Sequence, residues 1–407
     1  MKAKISNKDL ETWADFLLNH SLGGITPDDI VMIKGENITW PLMSVLQNKI
    51  FRAGAIADVN VVAPDNDRGR VWGASITRNA SVEQIEKTPS WHKDRYDAMT
   101  KYIEILGAEN PSFFSGLPEE KLKALMKADE PFKNTRLAKP WVLTLFPTQG
   151  FAEMEGLKLN EYTDIIVKAS TVDPKKLEAL EENLFQVMDK GKTVTLITEN
   201  PKMNKKLELT MNIENRLITK CYGLRNFPDG EVYTSPDANT VEGEVFVDLP
   251  VSYTGSTIRG VYLKFEKGVI TEYSAMQGYE ALRKIIETDE GSQRIGEIAF
   301  GMNNGMEKIL KHPLFVEKVG GTAHIAIGNS YPQSYVEDSN AEDAQKILDD
   351  FAEKGILNKS AQHVDIVIDF RPGGAGREAF IDDVKLEVID NMWCVPKDGE
   401  CDQEDSK

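Results

Sequence analysis

The sequence predicts two domains of different build: an N-terminal α/β domain with a mostly parallel sheet over residues 1–190, and an α+β domain over residues 191–395. Three observations predict it. Up to about residue 190, amphipathic helix patterns alternate with short apolar strand patterns, the order expected of a parallel sheet covered by helices. Beyond that point, alternating strands joined by short turns take over, which favours antiparallel pairing. The length, 407 residues, suits two or three domains at ~100–200 residues each.

The elements follow in chain order. Lys8 to His20 reads as an amphipathic helix, with Leu10, Trp13, Phe16 and Leu17 on one face. Ile30 to Ile33 is a short buried strand, Pro41 to Ala53 a helix ending near Gly54, and Ile56 to Val62 the next strand. Tyr102 to Leu106 and Trp141 to Phe146 extend the sheet. Between them, Pro118 to Met126 opens a helix with Pro at its first position and two Glu behind it. Leu177 to Met188 is a helix closed by Gly191, and Val194 to Thr198 begins the change of style. Leu207 to Ile213 and Glu242 to Leu249 alternate as strands. Ile258 to Phe265 and Val269 to Ala275 flank Glu266-Lys267-Gly268 as a hairpin. Two helices interrupt, Tyr279 to Glu287 and Glu342 to Lys354. Residues 396–407 form an acidic tail, expected to fray.

Bulk properties narrow the function classes. A formal net charge of −17 argues against nucleic acid or anionic lipid as the main partner, because phosphate binding needs a surplus of Lys and Arg. No run approaches the ~18 apolar residues that a membrane span needs, and the N-terminus lacks an apolar signal core. Cys221, Cys394 and Cys401 show no CxxC spacing and are expected to be free thiols of a reducing compartment, so the cytoplasm is the expected location. Signatures of the HExxH, GxSxG and phosphate-loop kinds are absent.

The chemistry-bearing residues cluster in the C-terminal half. Of five histidines, His20 and His92 read as structural or surface residues. His363-Val364-Asp365 opens an apolar, β-branched run, so it should lie on a strand. Positions i and i+2 of a strand face one side, and His363 and Asp365 therefore project together as a ready pair of metal ligands. Taken alone, such a pair is at least as often a plain His–Asp hydrogen bond. His324 lies on a short apolar strand preceded by Gly320-Gly321, where a lone His is more often a satisfied core residue. Tyr331 follows it in a Gly-Asn-Ser-Tyr-Pro loop, and loops at strand ends are favoured places for sites. Glu297 sits in an apolar strand bounded by glycines. A buried carboxylate costs several kcal/mol unless paired or metal-bound, and the alternative is an outward-facing Glu on an edge strand. Glu231 follows a Pro228-Asp229-Gly230 turn at a strand start, which by itself reads as a plain hairpin.

Together these segments resemble the thermophilic aminopeptidases, the aminopeptidase T / aminopeptidase S metallopeptidases. Asn226 through Pro236 is similar to the family's first glutamate motif, with Phe227 in place of Leu. Gly296-Glu297-Ile298-Ala299 looks like the second glutamate segment, His324 to Tyr331 has the family's spacing of seven, and His363-Val364-Asp365 matches its His-x-Asp. Tyr102 to Pro111, Trp141 to Thr148 and Glu161 to Asp164 resemble landmarks of the N-terminal half, so the likeness covers nearly the whole chain.

The resemblance implies a cytosolic, homodimeric exopeptidase acting on peptides with a free N-terminus, and a metal-binding C-terminal domain. It implies two divalent ions (Zn, Co, Mn or Mg) held by Glu231, Glu297, His324, Tyr331, His363 and Asp365, with Glu297 and Tyr331 also catalytic. Three carboxylates and two imidazoles suit a pair of ions ~3.5–4 Å apart, which acidify a bridging water and polarise a carbonyl. Glu297 and Asp365 are the candidates to bridge. Gly301-Met302-Asn303-Asn304-Gly305 departs from the family pattern, which leaves substrate preference open. Two other readings stay in view. One is a mononuclear-iron ring-cleaving dioxygenase on a related fold, which needs His and Asp ligands but not both glutamates. The other is an inactive binding or scaffold homologue, which a complete ligand set argues against.

Overall fold

The computed structural model of the chain describes residues 2–62, 79–87, 90–111, 118–253, 256–338, 341, 343–372, 376–396 and 401. The expected tail lies outside these residues except for Pro396 and Cys401, as does Glu342. The chain divides into two compact units: Met1–Pro174 with Gly223–Pro228, and Lys175–Tyr222 with Asp229–Lys407.

In the first unit, α1 (Asn7–Asp15) starts at Ser6, whose hydroxyl accepts from the Asp9 N–H, and continues as a π-helical turn through Phe16–Ser21. Strands β1 (Ile30–Glu36), β2 (Ile56–Val62), β3 (Lys101–Leu106) and β4 (Trp141–Leu145) pair parallel in the order β2-β1-β3-β4. Helix α2 (Trp40–Arg52) makes the first crossover. Then come α3 (Val82–Glu86), α4 (Ser90–Ala98), α5 (Glu119–Leu137), α6 (Gln149–Glu155) and α7 (Leu159–Ser170). The mostly parallel sheet expected of this half is present. Pro118 stands one place earlier than expected, as an extended cap, and α5 runs past Met126 through an internal Pro131. Trp13, Met32, Ile33, Leu42 and Tyr102 are fully buried around the sheet. The Trp13 indole N–H donates to Thr144 Oγ1 at 3.1 Å, so this large side chain is buried with its one polar group satisfied.

The second unit begins with α8 (Pro174–Lys190), whose Leu177, Leu184 and Met188 are buried. At its end, a Cβ on Gly191 would lie 2.4 Å from Ile381, so only glycine lets the helix end this close to its neighbour. The strands are β5 (Thr193–Asn200), β6 (Lys205–Asn212) and β7 (Thr219–Cys221). The two-residue β8 (Asn226–Phe227) joins β4 in the first unit. Then follow β9 (Glu231–Thr234), β10 (Glu242–Val247), β11 (Val251–Tyr253), β12 (Ser256–Glu266) and β13 (Val269–Gln277), with β12 and β13 forming the expected hairpin. Helix α9 (Tyr279–Ile286), β14 (Ile295–Gly301), α10 (Pro313–Val316), β15 (Thr322–Gly328), α11 (Ala344–Glu353) and β16 (His363–Asp369) lead to β17 (Glu378–Ile381), β18 (Val384–Ile389) and β19 (Met392–Cys394). They build a nine-stranded sheet and a five-stranded sheet of order β16-β15-β14-β9-β7, and every ladder in the five-stranded sheet is antiparallel.

One expectation is overturned. Cys394 and Cys401 are joined in a disulfide, leaving only Cys221 as a free thiol. The spacing rule missed it because the seven-residue gap matches no metal or redox motif.

The five-stranded sheet has two unlike faces. One carries Val232, Ile298, Phe300, Ile325, Val364, Ile366 and Ile368, all buried. At ~1.5–3 kcal/mol for each fully buried large aliphatic or aromatic side chain, this face anchors the sheet. Trp393 of β19 packs edge-on against Phe300 and donates to the Thr322 carbonyl at 2.8 Å. The other face carries the polar residues described next.

Candidate metal centre

Register alone brings five of the six expected residues to one face. Gly301 pairs with Glu231, Ala299 with both Tyr233 and His324, Glu297 with Ala326, Ala326 with Asp365, and Gly328 with His363. Directly paired residues share a face, as do residues two apart. Glu231, Glu297, His324, His363 and Asp365 therefore converge. The residues interleaved with them, Ala299, Gly301, Ala326 and Gly328, are small and leave the space between the polar groups open. Glu297 is on a strand with neighbours on both sides and is 3% exposed, so the edge-strand alternative is excluded.

His324 Nε2 lies 3.0 Å from Glu297 Oε1, 3.9 Å from Glu231 Oε2 and 4.0 Å from Asp365 Oδ1. His363 Nε2 lies 3.3 Å from Asp365 Oδ1 and 3.7 Å from Glu297 Oε2. Glu297 thus stands between the two imidazoles with one oxygen toward each. Two donor groups result, Glu231–Glu297–His324 and Glu297–His363–Asp365, each with its ligand atoms within 4.8 Å of one another. They share Glu297. His363 Nδ1 donates to the Asn329 carbonyl at 2.8 Å, which turns Nε2 toward the carboxylates and leaves it the lone pair of the neutral ring. Tyr331 stands at the rim, 39% exposed, with its ring 4.6 Å from that of His363 and its N–H donating to Ser235 Oγ.

The donor set fits divalent ions. Glu231 Oε2 and Glu297 Oε2 are buried without a hydrogen-bond partner. A carboxylate oxygen left so is costly, and a cation between these atoms removes the cost.

With no ion bound, the carboxylates draw protons onto the two imidazoles as counter-charges. Burial pushes the Glu297 carboxyl up; His324 opposes this, but Glu231 and Asp365 add to it. Burial also acts to raise Asp365, yet the hydrogen bond from His363 and the nearby imidazoles hold it well below the usual carboxylate range. Burial lowers His363, but Asp365 and Glu297 outweigh it and bring the imidazole up to about 9. His324 is raised too, the pull of Glu297 exceeding the opposing effect of burial. Burial and then the surrounding carboxylates hold the Tyr331 phenol above its ordinary value.

Sequence reasoning missed a second layer beneath Glu231. Lys318, 2% exposed, donates to Glu231 Oε1, lies 3.3 Å from Glu317 Oε2 and 3.8 Å from Asp229 Oδ1. Burial and then the neighbouring Asp365 push the Glu317 carboxyl well above its ordinary value. The Asn303 side-chain amide donates to the Asp229 carbonyl at 2.6 Å, while Gly230, at φ +140°, sits where a Cβ would be 2.8 Å from the Asn303 nitrogen. The Pro-Asp-Gly turn is thus pinned ahead of Glu231. Glu317 and Lys318 lie in an irregular stretch between α10 and the Gly320-Gly321 turn, where no periodicity marks a functional side chain.

Residues 6–372 match the family model described as "Thermophilic metalloprotease (M29)". The chain belongs to this family. As a member it is a metal-dependent hydrolase of peptide bonds. Aminopeptidase T of Thermus thermophilus is 27% identical to it over 388 residues, covering 82% of this chain and 88% of that protein. The solved structure of wild-type AmpT from Thermus thermophilus superposes with a TM-score of 0.72 at 21% identity, over 95% of this chain and 99% of that one. A more distant likeness joins the fold to a 2,5-dihydroxypyridine dioxygenase from Pseudomonas putida, with a TM-score of 0.54 at 12% identity over 98% and 100% of the two chains. At these identities the structural likenesses speak to fold alone.

Proposed function

We propose that the chain is an aminopeptidase that removes N-terminal residues from peptides at a two-ion centre built on the five-stranded sheet. The observation that carries this reading is the pair of donor groups sharing Glu297. Two divalent ions held there by Glu231, Glu297, His324, His363 and Asp365 would acidify a water and polarise the scissile carbonyl. Mixed nitrogen and oxygen donors suit Zn, Co or Mn, with Mg as the harder alternative.

Glu297 offers one oxygen to each donor group and holds the two together. Glu231 and His324 complete the first group; His363 and Asp365 complete the second. The Asn329 carbonyl fixes the His363 ring, so the geometry does not depend on a freely turning imidazole. Tyr331, at the exposed rim, serves as the sixth ligand or donates to the oxyanion of the tetrahedral intermediate. Burial of His324, Glu297 and Glu231 keeps bulk water from competing with these contacts.

A homodimer comes from the family resemblance, and a light-scattering mass of one chain contradicts it. With Cys394 and Cys401 bonded, the cysteines do not mark a reducing compartment. A cytoplasmic location therefore rests on the family resemblance, alongside the fact that no helix among the described residues is long and apolar enough to cross a membrane.

The test is release of free amino acids from an aminoacyl chromogenic substrate. Chelation should abolish it, and re-addition of Co or Zn should restore it. Full activity after chelation, or in a Glu297→Gln variant that retains its metal, overturns the reading. Metal analysis checks the ion count directly: two ions per chain are expected, where a mononuclear-iron dioxygenase would hold one.

A further inference from the structure

The two donor groups are not equivalent. The Glu297–His363–Asp365 group contains two imidazole-facing carboxylates, and among the described residues their ion-pair partners are the two imidazoles themselves. The Glu231–Glu297–His324 group has a lysine ammonium built against it. Lys318 Nζ holds Glu231 Oε1, so this carboxylate presents only Oε2 to His324, at 3.9 Å. The ammonium is 2% exposed and surrounded by Glu231, Glu317 and Asp229, so it can neither swing into solvent nor be screened by it. It also lies 3.3 Å from Glu317 Oε2, a carboxyl that neighbours Asp365.

We propose that Lys318 is a positioning residue that makes the two ion sites unequal. Its ammonium restricts Glu231 to one free oxygen and repels the ion at the Glu231–Glu297–His324 group, so the Glu297–His363–Asp365 group fills first and holds its ion more tightly. Two positive centres a few ångströms apart in a buried site repel strongly, because little solvent lies between them. Glu231 is also denied a bidentate grip. The chain thereby carries one retained ion and one exchangeable ion, and the exchangeable site is the one whose occupancy responds to free metal concentration. The proposal rests on the two-ion reading given above.

The experiment is a titration of the chelated, dialysed full-length protein with Zn2+ or Co2+, read by calorimetry and by metal content after gel filtration. The wild type should bind two ions in two resolved steps, separated on the order of tenfold or more in affinity. Glu231→Gln should lose the weaker step and keep the tighter one; His363→Ala should lose the tighter one. Lys318→Met should tighten the weaker step and narrow the gap, whereas Lys318→Arg, which keeps the charge, should preserve it. Lys318→Gln serves in place of Lys318→Met if circular dichroism shows the latter unfolded. Two ions binding with equal affinity in the wild type overturns the proposal and leaves the two-ion centre standing. So does a gap unchanged in whichever neutral variant folds. A wild type that binds one ion or none overturns the two-ion reading, and the proposal with it.

Discussion

Ala326 faces Glu297 across one ladder and Asp365 across the next, so a single methyl group stands between the two carboxylates. Any larger side chain there occupies the volume the ions need. Ala326→Leu should keep the fold, at an overpacking cost of ~1–3 kcal/mol, and should lose bound metal together with peptidase activity. Metal content per chain by mass spectrometry, beside near-ultraviolet circular dichroism, checks this; full metal content in a folded Ala326→Leu variant contradicts it. At this scale the sequence is readable where periodicity applies. A strand places His363 and Asp365 on one side, and their 3.3 Å separation follows. Glu297 and His324 carry no such local signal, because their meeting depends on β14 pairing with β15 in one particular register. Lys318 is hidden for a further reason: its role comes wholly from what surrounds it, and a lysine in an irregular stretch ordinarily reads as a solvated charge.

At the scale of elements, segments bounded by clear turn signals are legible and the others are not. β1 to β4, β12 and β13 lie close to where alternation and flanking turns place them. β17, β18 and β19 are not anticipated: β17 pairs with the distant β5, and the local hairpins that join β17 to β18 and β18 to β19 turn at Asp382-Asp383 and Asp390-Asn391, without the glycine that marks such a turn in sequence. One element boundary carries a testable charge. Asp29, just ahead of β1, accepts from the Thr26 N–H at 2.8 Å, from Thr100 Oγ1 at 2.7 Å and from Lys101 Nζ at 2.9 Å, tying the entry of β1 to that of β3. Burial acts to raise its carboxyl, but Lys101, then Thr26 and Thr100, pull it down to about 2 from an ordinary 3.8. A carboxyl lowered in the folded state stabilises above its unfolded value and loses that contribution as pH falls through its folded value. Asp29→Asn should therefore melt below the wild type at neutral pH. The difference should shrink as pH drops from about 4 toward 2, where the wild-type carboxylate is itself protonated. Melting curves across this range test it, and a difference that stays constant with pH contradicts it.

At the scale of the molecule, the two units have separate sheets, and all five sheet-borne residues of the centre belong to the second. The polar face of β9, β14, β15 and β16 concentrates Glu231, Glu297, Asp365 and their neighbours Glu317 and Asp229 in a space with few counter-charges. Without ions, that face depends on the two imidazoles and Lys318 to offset several carboxylates. Bound ions stabilise only the state that presents the assembled donors, and a ligand at a hundred times its dissociation constant contributes about 2.7 kcal/mol. The parallel sheet of the first unit contributes no donor, so it gains nothing directly. Chelation should thus raise hydrogen-exchange rates along β14, β15 and β16, and leave β1, β3 and β4 protected as before. Exchange mass spectrometry on the chelated and reloaded protein resolves these segments. Equal loosening of both sheets would mean that the ions support the chain as a whole; loosening confined to β14–β16 ties the stability of that sheet to the chemistry on its face.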